Sequence, residues 1–183
     1  MSRFIKESLL LVILLVIFLI QTILSMKEKS PVFDEIDYLP SSYSYVITGK
    51  LKVELVQPPL TRTLYGTPLL FLKLRNPIEF KSWNKKIVDP YEFGRDFFYN
   101  CGEDPERVLF FVRLISVLIG MLLGILVFLW SKKLYGKNAG LLSLLLYIFS
   151  PLVLAHSQLV TTDIAMAFMS LVLSLIHISE PTR

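Results

Sequence analysis

Three long runs almost free of charge constrain this chain more than any other feature. Leu9–Leu24 and Gly140–Val160 contain no Asp, Glu, Lys or Arg, and Val108–Trp130 contains only Arg113. A helix rises about 1.5 Å per residue, so roughly 20 apolar residues match a hydrocarbon core about 30 Å thick. The composition agrees, with 54% hydrophobic residues, well above an ordinary soluble domain. Most of the Asp and Glu residues gather between Met26 and Arg107. The pattern predicts an all-α polytopic membrane protein with spans over about 9–25, 108–130, 140–160 and 164–178 and one long loop over 26–107. The fourth span is short, about Ile164–Ile178, and survives only with bilayer thinning or supporting neighbours. Ser174–Arg183 resembles a non-native or truncated tail, so His177 is assigned no function.

Charge orients these spans. Arg3 and Lys6 precede the first run, and Lys132, Lys133 and Lys137 crowd the connection after Trp130. The positive-inside rule puts both groups in the cytoplasm, with Trp130 at the interface. The N-terminus is then cytoplasmic and 26–107 external, in a plasma membrane or bacterial inner membrane. Ser25-Met26-Lys27 lacks a small-x-small cleavage site, which favours a retained signal-anchor over a cleaved signal peptide. This topology brings Asp34, Glu35, His156 and Asp163 to the external side, with Arg113 near the external end of its span.

Other classes are poorly supported. The net charge of +4 comes without a basic stripe interleaved with aromatics, so nucleic acid is not an expected partner. Cys101 is the one cysteine, which rules out an intrachain disulfide. The expected partners are membrane lipid and whatever the external loop binds. Within that loop, Ser30-Pro31 ends the first helix. Leu60–Leu74, with Arg62 and Lys73 near its ends, suits a short helix lying in the membrane interface, kinked or split at Gly66 and Pro68.

Several short motifs follow one another in a recognisable order. They are Phe33-Asp34-Glu35, Tyr43-Ser44-Tyr45, Gln57-Pro58-Pro59-Leu60, Tyr91–Arg95, Arg113-Leu114, Lys132–Gly136, Ser150-Pro151 with His156, and Thr161-Thr162-Asp163. Together they resemble the N-terminal part of GT-C type membrane glycosyltransferases, in particular glycosyltransferase family 39, the protein mannosyltransferase and aminoarabinose transferase group. Gln57 stands where the family motif often has histidine. The resemblance implies the N-terminal part of a GT-C fold, whose long external loop carries short interfacial helices. It also implies transfer of a sugar from a polyprenyl-phosphate carrier, the donor substrate, to an external protein, lipid or glycan. The family has roughly a dozen spans, so this chain is expected to be an inactive fragment on its own.

An acceptor hydroxyl is a poor nucleophile, and a carboxylate within hydrogen-bond reach is its natural base. By resemblance Asp34 is that base and Glu35 supports it. The leaving phosphate needs cationic donors. Arg113, inside an apolar span, either contacts that phosphate, pairs with a loop carboxylate or snorkels to the headgroups. Asp163 and His156 are further candidates for carrier or substrate binding, against the plainer readings of a helix N-cap and a buried histidine. No cofactor is certain. A divalent cation is compatible with the chemistry, but no ligand set can be assigned. The rival reading is a non-catalytic membrane protein, such as a transporter segment or an assembly subunit. Transporters favour broken spans with polar groups at the midplane, whereas here those groups gather at one interface.

Overall fold

Proline and glycine punctuation sets the element order. In the computed structural model, which describes residues 2–179 and the side chains of residues 7–178, eight α-helices follow one another. They are α1 (Ser2–Lys27), α2 (Phe33–Thr48), α3 (Pro59–Gly66), α4 (Pro90–Asn100), α5 (Pro105–Tyr135), α6 (Lys137–Ile148), α7 (Pro151–His156) and α8 (Asp163–Ser179). No strand occurs among the described residues. Proline occupies the first position of α3, α4, α5 and α7, where its missing N–H would have no helical partner anyway. The side chains of Arg3 and Lys6, and the whole of residues 180–183 in the expected tail, lie outside the described residues.

The chain divides into two units. The first comprises 1–25, 116–158 and 163–183; the second comprises 26–115 and 159–162. In the first, Leu14 and Phe18 of α1 pack with Phe128 of α5 and with Leu144 and Ile148 of α6. Gly120 and Gly124 lie one turn apart on α5, a spacing that lets neighbouring helices approach closely. A Cβ at Gly120 would press on Ser157 and Phe18, and one at Gly124 on Tyr147. The Tyr147 hydroxyl donates to the Gly120 carbonyl at 2.7 Å, so its polar tip is satisfied inside an apolar layer. Leu9, Val12, Val16, Ile20, Leu146 and Leu173 are exposed. Exposed apolar side chains at this density suit contact with lipid.

Two helices, Glu7–Lys27 and Pro105–Tyr135, are long and apolar enough to cross a membrane. The expected third span, 140–160, is not one helix. It is interrupted after Ile148, and α7 begins afresh at Pro151, because that proline has no N–H to extend the α6 ladder. At 12 residues, α6 reaches only about 18 Å. The 17-residue α8 is apolar but also shorter than the roughly 20 residues that cross a bilayer.

In the second unit, α2 packs against α3 and α4 over a core that includes Leu39, Tyr43, Tyr65, Phe93, Phe97 and Val160. The expected interfacial helix at Leu60–Leu74 is split into α3 and a 3₁₀ turn over Thr67–Phe71. Arg62 corrects its expected placement at a lipid interface. It is buried, and its Nη2 lies 2.6 Å from Glu54 Oε2. The polar stretch before α5 contains a helix of its own, α4, capped by Asp89, whose carboxylate accepts from the Glu92 N–H at 2.7 Å.

Pro40, inside α2, has no N–H to give the Ile36 carbonyl. Gly94 of α4 fills the space beside that carbonyl so closely that a Cβ there would overlap it. Gly94→Ala should therefore force α2 and α4 apart and destabilise the second unit by about 1–3 kcal/mol, read as a lowered Tm in detergent.

Candidate functional site

Glu35 is the third residue of α2, and its position is explained by the helix N-terminus. Its Oε2 accepts from the backbone N–H of Val32 at 3.1 Å, satisfying a donor that the helix cannot. The same oxygen accepts from Arg113 Nη2 at 2.6 Å. Glu35 Oε1 accepts from Arg113 Nε at 2.9 Å and from the Val160 N–H at 3.0 Å. A carboxylate offers about four lone-pair sites, and here four donors occupy them.

Arg113 is equally engaged. Besides Glu35, its Nη1 donates to the carbonyls of Met26 at 2.9 Å and Lys29 at 2.8 Å, and its Nη2 to the carbonyl of Ser30 at 3.0 Å. All five guanidinium N–H groups thus have partners. Glu35 is 0% and Arg113 2% exposed, so neither charge meets solvent. The cation sits at the last carbonyls of α1 and the anion at the first N–H groups of α2, each at the helix end whose dipole favours it. Of the three roles open to Arg113 in the sequence, the structure shows the pairing with a loop carboxylate.

This arrangement leaves Asp34 as the free member of the acidic pair. It is exposed on the first turn of α2, next to a neighbour locked on both oxygens. Tyr91 lies close by, its ring 4.5 Å from that of Phe33. A recess of about 400 Å³ opens beside the clamp, with Lys27, Glu28, Lys29 and Glu106 among the residues that line it.

His156 and Asp163 form a separate pair in the first unit, with Nδ1 and Oδ2 3.2 Å apart. The contact is a charge pair only when the imidazole is protonated, and its direction does not make a hydrogen bond, since Nδ1 has no hydrogen-bond partner. Asp163 begins α8, where a carboxylate favours the helix dipole. Among the described residues, no three His, Cys, Asp or Glu side chains come together as a metal-ligand group.

Two features escape a reading of the sequence alone. One is the second buried ion pair. Arg62 Nη2 reaches Glu54 Oε2 at 2.6 Å and also the Glu54 carbonyl, while its Nε donates to the Gln57 carbonyl at 3.2 Å. The other is Asp37, 7% exposed, whose Oδ1 is buried with no hydrogen-bond partner. Burial raises its carboxyl from 3.8 to about 7, reinforced by Glu54, Asp34 and Asp89 and opposed by Arg62. The signal for Asp37 was its spacing, three residues after Asp34 and two before the buried Leu39.

Residues 106–180 match a model of the dolichyl-phosphate-mannose-protein mannosyltransferase family. The matched stretch starts in the first turn of α5 and contains Arg113, His156 and Asp163; Asp34 and Glu35 lie before it. No match is found among curated proteins or solved structures.

Arg113→Lys should be far from conservative, because an ammonium has three donors and no planar fork for Glu35. Breaking a buried pair of this kind costs about 3–5 kcal/mol, so loss of folded protein by size exclusion and a lowered Tm are expected. Asp37 gives a second expectation. Between about pH 4 and pH 7 the folded chain holds a proton that the unfolded chain has released. Its contribution to stability is therefore intact below about 4, falls as pH rises, and levels off above about 7. Asp37→Asn should remove that slope, measured by unfolding midpoints across this range.

Proposed function

We propose that the chain serves a membrane glycosyltransferase that moves a sugar from a polyprenyl-phosphate carrier to an acceptor hydroxyl. One observation carries the reading: Arg113, inside the stretch similar to the mannosyltransferase family, is bonded through Glu35 to the turn that presents Asp34. The acidic pair, which lies outside the matched stretch, is thereby physically tied to it.

In this reading Asp34 is the base. The acceptor O–H bond breaks and its proton passes to the Asp34 carboxylate. The freed oxygen lone pair forms a bond to the anomeric carbon of the sugar, and the carrier phosphate leaves with the electron pair of the old bond. Glu35 and Arg113 act through Asp34 by fixing the first turn of α2 against the end of α1. Such positioning holds the base at the geometry that makes an intramolecular proton transfer fast. His156 and Asp163 enter as candidates for carrier contact from their sequence positions. The exposed apolar face of the first unit suits a lipid carrier, whose chain shares the bilayer with the protein. The finer assignments belong to the same proposal: several spans, a cytoplasmic N-terminus and an external active site.

Asp34→Asn in the full natural chain should lower sugar transfer by about 10²–10⁴-fold, the usual contribution of a general base, with membrane insertion unchanged. Transfer at the parental rate would rule Asp34 out as the base.

A further inference from the structure

The recess of about 400 Å³ beside the clamp is lined by the end of α1 with the turn after it, and by the first turns of α5. All of this lining belongs to the second unit. Its level is set by the two helices long and apolar enough to cross a membrane. Lys27 is the last residue of one, and Glu106 is the second residue of the other. A recess at the ends of two spans lies among lipid headgroups, with hydrocarbon next to it.

Its charges are balanced. Lys27 and Lys29 line it together with Glu28 and Glu106, and all four residues are exposed. Among the described residues, none of the four is held in an ion pair. Arg113 also lines the recess, but its N–H groups are spent on Glu35 and on the carbonyls of Met26, Lys29 and Ser30. Arg113 therefore fixes the wall and leaves the two lysines to meet a ligand. A wall already ordered costs less to bind against. Leu109 and Phe110 add apolar lining. An anion alone would satisfy the lysines but meet both carboxylates. A ligand that carries phosphate and ammonium a few bonds apart satisfies all four, and a primary ammonium has three N–H donors where a trimethylated one has none.

We infer that this recess binds the headgroup of a zwitterionic phospholipid of the phosphatidylethanolamine type. The phosphate accepts from Lys27 and Lys29, the ammonium donates to Glu28 and Glu106, and the glycerol end lies against Leu109 and Phe110. The bound lipid braces the turn on which the clamp is built. The inference rests on the membrane part of the reading above and not on sugar transfer.

The test places the full natural chain in nanodiscs of phosphatidylcholine, alone or mixed with phosphatidylethanolamine or phosphatidylglycerol. Lipid retained on release is read by native mass spectrometry, and Tm is measured in each disc. The parent should retain phosphatidylethanolamine over phosphatidylcholine by about fivefold, the scale of one charge pair at an exposed site. Its Tm should be higher in the discs that contain it. Glu28→Gln with Glu106→Gln should remove that preference and turn retention toward phosphatidylglycerol, because the lysines remain. Loss of fold cannot produce such an exchange of selectivity. Lys27→Gln with Lys29→Gln should remove the retention of both lipids over phosphatidylcholine. Equal retention of phosphatidylethanolamine and phosphatidylcholine by the parent, or a preference that survives either double variant, would overturn the site. Soluble phosphoethanolamine raising Tm as much as the lipid at equal concentration would overturn the lipid as its source. Failure to insert into any nanodisc would count against the membrane reading and remove the site with it, whereas insertion with equal retention contradicts the headgroup site alone.

Discussion

A guanidinium removed from water must find acceptors for five N–H groups, and much of the second unit is arranged around that demand for Arg113. Its partners come from distant parts of the chain. Met26, Lys29 and Ser30 supply carbonyls where α1 ends, and Glu35 supplies a carboxylate where α2 begins. Glu35 in turn holds the Val160 N–H at 3.0 Å, which fixes the 159–162 segment. Desolvating both charges is expensive, and the attraction between them offsets it only when every remaining donor and lone pair is used. Here they are. Two helix ends that would otherwise expose unpaired carbonyls and N–H groups are closed by one ion pair.

The two units differ in what holds them together. The first relies on apolar packing with few polar contacts inside, such as Tyr147 on the Gly120 carbonyl, and turns an apolar face outward. The second buries two ion pairs and an unpaired carboxyl among aromatic rings, including the edge-on contact of Phe80 with Phe93 at 5.9 Å. Buried polar networks of this kind are sensitive to any missing partner. They also include one carboxyl, Asp37, that burial raises to about 7, and functional sites are enriched in such groups. The clamp joins the end of α1 to the first turn of α2 through five hydrogen bonds from one guanidinium.

Part of the element order is legible in the sequence. A charge-free run marks α1 and a run interrupted only by Arg113 marks α5, whereas the helices opened by Pro90 and Pro105 are seen as such only in the fold. The split of Leu60–Leu74 follows from Gly66 and Pro68. Long-range pairing was not legible. Arg113 and Glu35 are 78 positions apart, and no periodicity links them. Arg62 shows why local pattern misleads: beside apolar residues it resembles the cationic edge of an interfacial helix, but Glu54, eight residues earlier, draws it inward. The 140–160 run reads as one span kinked at Pro151, whereas in the fold α6 ends at Ile148 and a new helix opens at that proline. Asp34 and Glu35 look like equivalent neighbours in sequence, and only the fold separates an exposed carboxylate from a saturated one.

The central claim is that Glu35 and Arg113 act as one unit that fixes the acidic turn. A double-mutant cycle of unfolding free energies for Glu35→Ala, Arg113→Ala and the double variant tests it directly. Residues sharing a buried network interact by about 0.5–3 kcal/mol, and this pair should lie at the upper end, with the second substitution adding little to the first. Additivity of the two single effects to within about 0.3–0.5 kcal/mol would show that the residues act independently and would contradict the account.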